Sequence, residues 1–290
     1  MNAICGIAME IKTFCDSKVI RLKKTLIFVF LSILFFAPLK AALPVNMSEL
    51  RSAAQKGNAV AQFSLAGIYY NGYGVDRNYV LAVKWLYLAA GQGFAKAQYN
   101  LGEMYYLGHG VEQNYTEALK WYRLAAAQGM PDAQYNLGVS YATGKGVQQN
   151  LAEAFKWYRL AAAQGDAKAQ YNLGVLYSKG AGIEQNEAEA VKWYRLSAEK
   201  GHIMAQNNLG VMYAKGNGVK QNLTEAAKWF RMAATQGNEK AQLTLGLMYE
   251  KGYGITKNHS EAEKWYRLAA EHGNVIAQQK IVTMYANGRK

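Results

Sequence analysis

The residues that most suggest catalysis are a serine and a lysine three positions apart. Ser197 and Lys200 have the Ser-x-x-Lys spacing in which β-lactamases place a nucleophile and a lysine. No Ser-Asp-Asn or Lys-Thr-Gly sequence accompanies them, and another copy of the surrounding pattern has Ala161 where Ser197 stands. We therefore interpret the match as accidental and predict no catalytic residue.

Histidine and cysteine are too scattered to indicate a metal centre or a cofactor. No His-Glu-x-x-His sequence is present, and a zinc site needs several ligands at regular spacing. The only cysteines, Cys5 and Cys15, lie near the start, so the remaining chain has no disulfide or thiol chemistry. His109, between two turn glycines, is at most a contact for a partner. The four histidines are His109, His202, His259 and His272.

A repeat of 36 residues carries these side chains. The dipeptide Ala-Gln recurs seven times in one register, without insertion or deletion. A fixed period of this length indicates an array in which neighbouring units bury a shared core. All six tryptophans follow the period: Trp85, Trp121, Trp157, Trp193, Trp229 and Trp265.

Each repeat is predicted to contain two helices separated by a Gly-x-Gly turn. In the first helix, Ala97, Leu101 and Tyr105 are spaced i, i+4, i+8, which makes one stripe on a helix. Gly102 lies beside this stripe. Since glycine costs about 1 kcal/mol relative to alanine within a helix, we interpret its recurrence as close helix–helix approach. The turn glycines close the first helix, and without a following Gly-Lys-Ser/Thr they do not indicate a phosphate loop.

The second helix is predicted to begin at an asparagine. In five repeats a glutamate follows three residues later, as in Asn114 and Glu117. This spacing resembles a capping box, in which the asparagine accepts from an early amide and the glutamate reaches back. One glutamate per repeat at a capping position favours this role over acid–base catalysis.

The tryptophans are predicted to be core residues, and the basic residues beside them to be surface residues. A lysine precedes each tryptophan, and an arginine follows two residues after five of them. These recurring residues account for most of the net charge of +13. We interpret this charge as a solvated outer face and predict no nucleic-acid partner.

The first 43 residues differ from the rest of the chain. Arg21, Lys23 and Lys24 precede an apolar run of 12 residues from 26 to 37, which Pro38 ends. This order is typical of a secretory signal, and the run is shorter than the roughly 20 residues that span a bilayer. We predict a cleaved signal peptide over 1–43 and a periplasmic or secreted protein. An uncleaved anchor is the alternative, and Met9 is an alternative start.

The repeat pattern is similar to the Sel1-like repeat, a relative of the tetratricopeptide repeat. The matching motifs are Ala-Gln-x-x-Leu-Gly-x-x-Tyr, Gly-x-Gly-Val and Glu-Ala-x-Lys-Trp-Tyr. The resemblance implies an all-α, right-handed α-solenoid superhelix of antiparallel helix pairs. It divides the chain into an opening half-repeat helix over 44–57 and, over 58–290, six repeats plus a terminal half-repeat.

The same resemblance implies a concave groove lined by the first helices. The residue after each Ala-Gln and the residue one turn later would then face a partner, and the residue after Ala-Gln is aromatic in every repeat up to Tyr171. A run of aromatic residues could accept an extended peptide or an amphipathic helix. The alternative is that the rings pack on the neighbouring helix. The predicted groove residues are Phe63, Tyr99, Glu103, Tyr135, Tyr171 and Asn207.

These observations predict a non-enzymatic protein–protein interaction scaffold without a cofactor. It would be a monomer that binds a protein or peptide in the groove and meets a membrane only through an uncleaved leader. The resemblance associates such bacterial proteins with signalling, envelope assembly or host contact. The alternative function is an exported hydrolase of the cysteine-rich Sel1-like type, with β-lactamase or penicillin-binding activity. A third hypothesis is a membrane-tethered regulator.

Overall fold

The helices follow the predicted period. A computed structural model describes residues 46–288, and every regular element in that range is an α-helix. The predicted all-α fold is confirmed, whereas the leader over 1–43 lies outside the described residues. The helices are α1 Met47–Gln55, α2 Ala59–Asn71, α3 Tyr79–Gly91, α4 Ala95–Leu107, α5 Tyr115–Ala127, α6 Pro131–Thr143, α7 Leu151–Ala163, α8 Ala167–Lys179, α9 Glu187–Glu199, α10 Ile203–Lys215, α11 Leu223–Thr235, α12 Glu239–Lys251, α13 His259–Glu271 and α14 Val275–Gly288.

The described helices belong to two compact units. Unit 1 extends to Gln128 and contains α1–α5, and unit 2 begins at Gly129 and contains α6–α14. Within each unit, the two helices of a repeat pack against each other, and the second helix packs on the first helix of the following repeat. Each helix pair therefore buries its apolar faces against its neighbours, as the repeat length predicts.

The second helices are capped by asparagine, but the predicted capping box is only half correct. The Asn114 side chain accepts from the backbone N–H of Glu117 at 3.0 Å. The backbone N–H of Asn114, which the glutamate was expected to bind, donates instead to the Tyr105 carbonyl at 2.9 Å. The Glu117 carboxylate pairs with Lys120 at 2.5 Å. The second half of the box fails because its donor is already used by the preceding helix.

A glycine and an aromatic ring join the two helices of five repeats. A Cβ added to Gly138 would lie 2.5 Å from the ring of Tyr158, and one added to Gly174 would lie 2.5 Å from Tyr194. The predicted close approach is confirmed, because no larger residue fits beneath the ring without a shift. In the first repeat Ala66 replaces the glycine and Leu86 replaces the aromatic residue, and both lie in one buried cluster. The five pairs are Gly102–Tyr122, Gly138–Tyr158, Gly174–Tyr194, Gly210–Phe230 and Gly246–Tyr266.

The glutamine of the first six Ala-Gln pairs is buried, and it can link the second helix of the preceding repeat to the end of the second helix of its own repeat. Gln98 donates through Nε2 to the Ala90 carbonyl at 3.1 Å and accepts through Oε1 from Gln128 Nε2 at 2.7 Å. Gln92, Gln164 and Gln236 make the second bond in other repeats. The corresponding residues in two repeats are Lys200 and His272, and there the Oε1 atoms of Gln170 and Gln242 are buried without a hydrogen-bond partner.

The tryptophans pack at the seams between repeats. Trp121 contacts the cluster around Leu101, and Trp193 contacts the cluster around Tyr158. Trp265 is buried at 6% exposure, and its indole N–H donates to Glu261 at 3.2 Å. The predicted core role is therefore confirmed for Trp265, whereas Trp121 and Trp193 are partly buried against the core clusters.

Candidate protein-binding surface

Most first helices of the repeats present one stripe that is on the whole more exposed than the rest of the helix, although Phe63 and Asn207 at its positions are buried. On α8 the stripe consists of Lys168, Tyr171, Val175 and Lys179, which are spaced i, i+3, i+7, i+11 and share one side of the helix. Gln170, Leu173 and Gly174, on the opposite sides, are buried. We call this four-residue set, at the equivalent positions of α2, α4, α6, α8, α10 and α12, the exposed stripe. The six predicted groove residues all occupy stripe positions.

In unit 1 the stripe residues differ in how much they are exposed. Phe63 is 1% exposed, and its ring packs edge-on against Phe94 with centroids 5.2 Å apart. Tyr99 is half-buried, with its ring 5.9 Å from that of Tyr122. The Tyr122 hydroxyl donates to the Glu103 carboxylate. Phe63 therefore belongs to the core, while Tyr99 and Glu103 are partly exposed and held by the second helix.

In unit 2 the two stripe tyrosines have the same surroundings. Tyr135 and Tyr171 are half-buried, and their rings lie 5.9 Å from Tyr158 and Tyr194 respectively. Burial raises the pKa of both stripe hydroxyls, so they are neutral at physiological pH. Each ring therefore packs on the second helix of its own repeat and keeps its remaining surface exposed. Asn207 is 7% exposed and belongs to the core.

Asparagines and cap residues support these tyrosines, and the sequence alone did not single them out. Asn172 faces Tyr135 and Tyr158 and opposes the rise in the pKa of both hydroxyls, and Asn208 does the same for Tyr171 and Tyr194. Both asparagines follow the stripe position of the next first helix by one residue. Aligning the repeats at this position would have identified them.

His202 and Lys168 lie directly against the stripe tyrosines. The His202 ring stacks on Tyr171 with centroids 4.7 Å apart, and Lys168 Nζ lies 5.8 Å from the centre of the Tyr135 ring. His202 also caps α10, because its Nδ1 accepts from the Ala205 N–H at 3.2 Å. Burial, and next the charge of Lys168, lowers the His202 pKa, which Asp166 opposes. His202 is therefore an uncharged aromatic surface at neutral pH.

The Ser-x-x-Lys pair does not form a nucleophilic site. Ser197 is fully buried, and its hydroxyl donates to the Ala167 carbonyl at 2.6 Å. Lys200 extends away and donates to the Gly165 carbonyl. Both side chains therefore join helices rather than face a substrate.

Metal clusters and membrane-spanning helices are both absent from residues 46–288. No group of three or more histidine, cysteine, aspartate or glutamate side chains in that range is arranged to hold a metal ion. No helix in the same range has the length and apolarity needed to cross a bilayer.

Similar architectures are found among bacterial repeat proteins. A protective antigen of uropathogenic Escherichia coli strains, whose crystal structure displays an SLR fold, is 40% identical with a TM-score of 0.82. The match covers 84% of this chain and 52% of the antigen, so this chain spans about half of that protein's length. A Sel1 repeat protein from Oxalobacter formigenes is 38% identical with a TM-score of 0.68, over 77% of this chain and 89% of its own.

The repeats themselves match a family model described as the Sel1 repeat. The six matches are contiguous, at 59–94, 95–130, 131–166, 167–202, 203–238 and 239–274. No curated protein matches the chain significantly. Because the matched repeats cover well over half of its 290 residues, the chain belongs to the Sel1 repeat family.

Proposed function

We propose that the protein is a non-enzymatic scaffold that binds a protein or peptide partner through its exposed stripes. Sel1 repeat proteins generally serve as protein-interaction scaffolds. The single observation that carries the proposal is that the rings of Tyr135 and Tyr171 are half-buried and that each packs on a tyrosine of the second helix. A ring that neighbours already hold loses little conformational entropy on binding, and tyrosine is enriched among the residues that dominate binding energy.

The proposed surface differs from the sequence-based prediction in its membership. Phe63 and Asn207 are buried, so we propose that they support the surface from below. In unit 1 the candidate residues are Tyr99 and Glu103, and in unit 2 they are Tyr135 and Tyr171. On either unit by itself, an extended segment or one face of a helix would lie on the residues of that unit.

We also propose that α1 and α14 are half-repeats that close the two ends of the array. The Ala54 carbonyl on α1 accepts from Gln62 at 3.0 Å, as the Ala90 carbonyl on α3 accepts from Gln98. Arg51 on α1 donates to the Tyr69 hydroxyl at 3.5 Å, as Arg195 on α9 donates to that of Tyr213 at 2.6 Å. Thus α1 makes the contacts of a second helix, which supports its assignment as half a repeat.

Export to the periplasm or secretion, after removal of residues 1–43, completes the proposal. The basic cluster and short apolar run support it. The protective antigen that is similar over 84% of this chain supports contact with a host. We propose that the exported protein is a monomer that acts in signalling, envelope assembly or host interaction.

Site-specific photocrosslinking in the native cell envelope tests the binding surface. A photoreactive residue at Val175 lies on the exposed stripe of α8, whereas one at Leu160 lies on α7 and is 46% exposed. We expect a discrete partner at Val175 and none at Leu160. Equal crosslinking at the two positions, or none at Val175, would contradict the proposal.

A turnover assay separates the scaffold from the alternative hydrolase. Purified mature protein is expected not to hydrolyse β-lactam or cell-wall substrates, since Ser197 is buried and hydrogen-bonded. Activity that disappears in Ser197→Ala would establish the hydrolase instead. Because Ala161 and Ala233 occupy the same position, this variant is expected to fold.

A further inference from the structure

The exposed stripes of unit 2 have an excess of positive charge. Across α6, α8, α10 and α12 they contain five lysines and one acidic residue, Asp132, a formal charge of +4. All five lysines are exposed. In unit 1, by contrast, the charged stripe residues are Lys96 and Glu103, which cancel. The five lysines are Lys168, Lys179, Lys215, Lys240 and Lys251.

Most of these lysines are not neutralised by the fold. Within the described part of the chain, only Lys251 of the five has an ion-pair partner within 4 Å, namely Glu250 at 2.8 Å. The lysines on the second helices of the same unit behave differently: Lys156, Lys192 and Lys228 each pair with a glutamate at 2.5 Å. The positive charge of unit 2 is therefore compensated on the second helices and left available on the stripes.

Helix electrostatics explains only part of this distribution. Lys179, Lys215 and Lys251 end their helices, where a positive charge is favourable. Lys168 and Lys240 lie in the first turns of α8 and α12, where a positive charge opposes the helix dipole. The helix dipole therefore does not account for these two charges, and the Lys168 ammonium also faces the Tyr135 ring.

Apolar residues lie between the charged ends of the stripes. Tyr171 and Val175 separate Lys168 from Lys179, and Leu243 and Leu247 separate Lys240 from Lys251. A nucleic acid would use the charges but not this apolar centre. A protein segment with both carboxylates and apolar side chains matches both features.

We propose that the stripes of unit 2 select an acidic, amphipathic segment of a partner protein. Its carboxylates pair with Lys168, Lys179, Lys215 and Lys240, and its apolar side chains lie on the tyrosine, valines and leucines between them. This inference rests on the proposed function and specifies the chemistry of the partner.

Peptide binding to the full mature chain tests the inference. The probes are a labelled peptide of alternating Glu and Leu and the same peptide with Gln in place of Glu, measured by fluorescence anisotropy. We expect the Glu peptide to bind about tenfold more tightly, because several exposed ion pairs of modest strength add up to that ratio. Equal binding of the two peptides, or no binding of either, overturns the inference.

Two matched triple variants show where the charge acts. Lys179→Gln, Lys215→Gln and Lys240→Gln remove three stripe charges, and Lys156→Gln, Lys192→Gln and Lys228→Gln remove three from the second helices. We expect the first set to abolish the preference for the Glu peptide and the second to leave it, with unchanged helical content in both. Equal losses would show a general charge effect and overturn the inference.

The remaining outcomes distinguish the inference from the proposed function. Tighter binding of a single-stranded oligonucleotide than of the Glu peptide would indicate a nucleic-acid partner and overturn the inference. If the segment crosslinked at Val175 has no acidic excess, the inference fails while the proposed function stands. Without any crosslink at Val175, the proposed function itself fails.

Discussion

Two neighbouring repeats of unit 2, residues 131–166 and 167–202, separate what the fold requires from what it leaves free. Both have a glycine beneath an aromatic ring. A Cβ added to Gly138 or to Gly174 would lie 2.5 Å from the ring of Tyr158 or Tyr194 respectively. Both hold a stripe tyrosine 5.9 Å from a second-helix tyrosine. The interior of the helix pair is thus reproduced almost without change.

The two repeats differ where the second helix ends. Gln164 completes the hydrogen bonds of Gln134 at 2.8 Å, whereas Lys200 leaves Gln170 Oε1 without a partner. The residue that caps the following helix is Asp166 in one case and His202 in the other. The packing of the pair is therefore fixed, while differences in stability and pH response between the repeats arise at the junction to the next repeat.

The largest expected effect comes from the feature that both repeats share. Gly138→Ala and Gly174→Ala should each lower the free energy of unfolding by about 2 kcal/mol, because overpacking beneath the ring outweighs the helix propensity that alanine gains. Urea titration of the mature chain measures this loss. A loss in only one of the two repeats would contradict their structural equivalence.

The first repeat supplies the control for this substitution. It combines Ala66 with Leu86 in one buried cluster, so Gly138→Ala together with Tyr158→Leu should recover part of the loss.

An intermediate effect is expected where the repeats differ. Lys200→Gln should raise the free energy of unfolding by about 1 kcal/mol, because it gives the buried Gln170 oxygen a donor. The reverse change, Gln164→Lys, should lower it by a similar amount. The same urea titration checks both. If Lys200→Gln does not stabilise the protein, the Gln170 oxygen already has a partner, such as a water molecule.

The smallest expected effect is a pH dependence of stability at the end of repeat 167–202, where His202 caps the following helix. Burial lowers the folded-state pKa of His202 below its ordinary value of about 6.5. Its contribution to stability is therefore complete above about pH 6.5 and declines as the pH falls towards the folded-state pKa. His202→Asn keeps a capping side chain, as Asn238 does for α12, and should remove this decline. Thermal unfolding of both proteins across this pH range tests the point, and parallel curves would refute it.

The sequence predicted the features that depend on neighbours close in the chain. Spacing within one repeat was enough to predict where helices begin and end, at Asn114 and at the turn glycines. It also predicted the apolar face that contains Leu101 and the close approach at Gly102. The role of Gln98 escaped prediction because its partner, Gln128, lies 30 residues away. The burial of Phe63 escaped for a similar reason, since Phe94, at the start of the next repeat, covers its ring.

The positions of the stripes follow from the sequence, but the exposure of each stripe residue does not. The residue after Ala-Gln lies at a stripe position in α2 and α10 as in the other first helices, yet there Phe63 and Asn207 are buried. The exposure of this residue depends on the residue that caps the next first helix. Tyr171 contacts the cap residue His202, and Phe63 contacts the cap residue Phe94. The lysines could have been noticed from their spacing with Tyr171, whereas their lack of acidic partners needs three-dimensional contacts.

The unpaired glutamine oxygens also have a mechanical consequence. An array of repeats opens by stepwise loss of neighbouring units, and local opening begins where hydrogen bonding is incomplete. The helix pairs that contain Gln170 and Gln242 are therefore the places in unit 2 that should open first under tension. A pulling experiment on this unit should record partial extensions that begin at these two helix pairs, and Lys200→Gln should remove the one at Gln170.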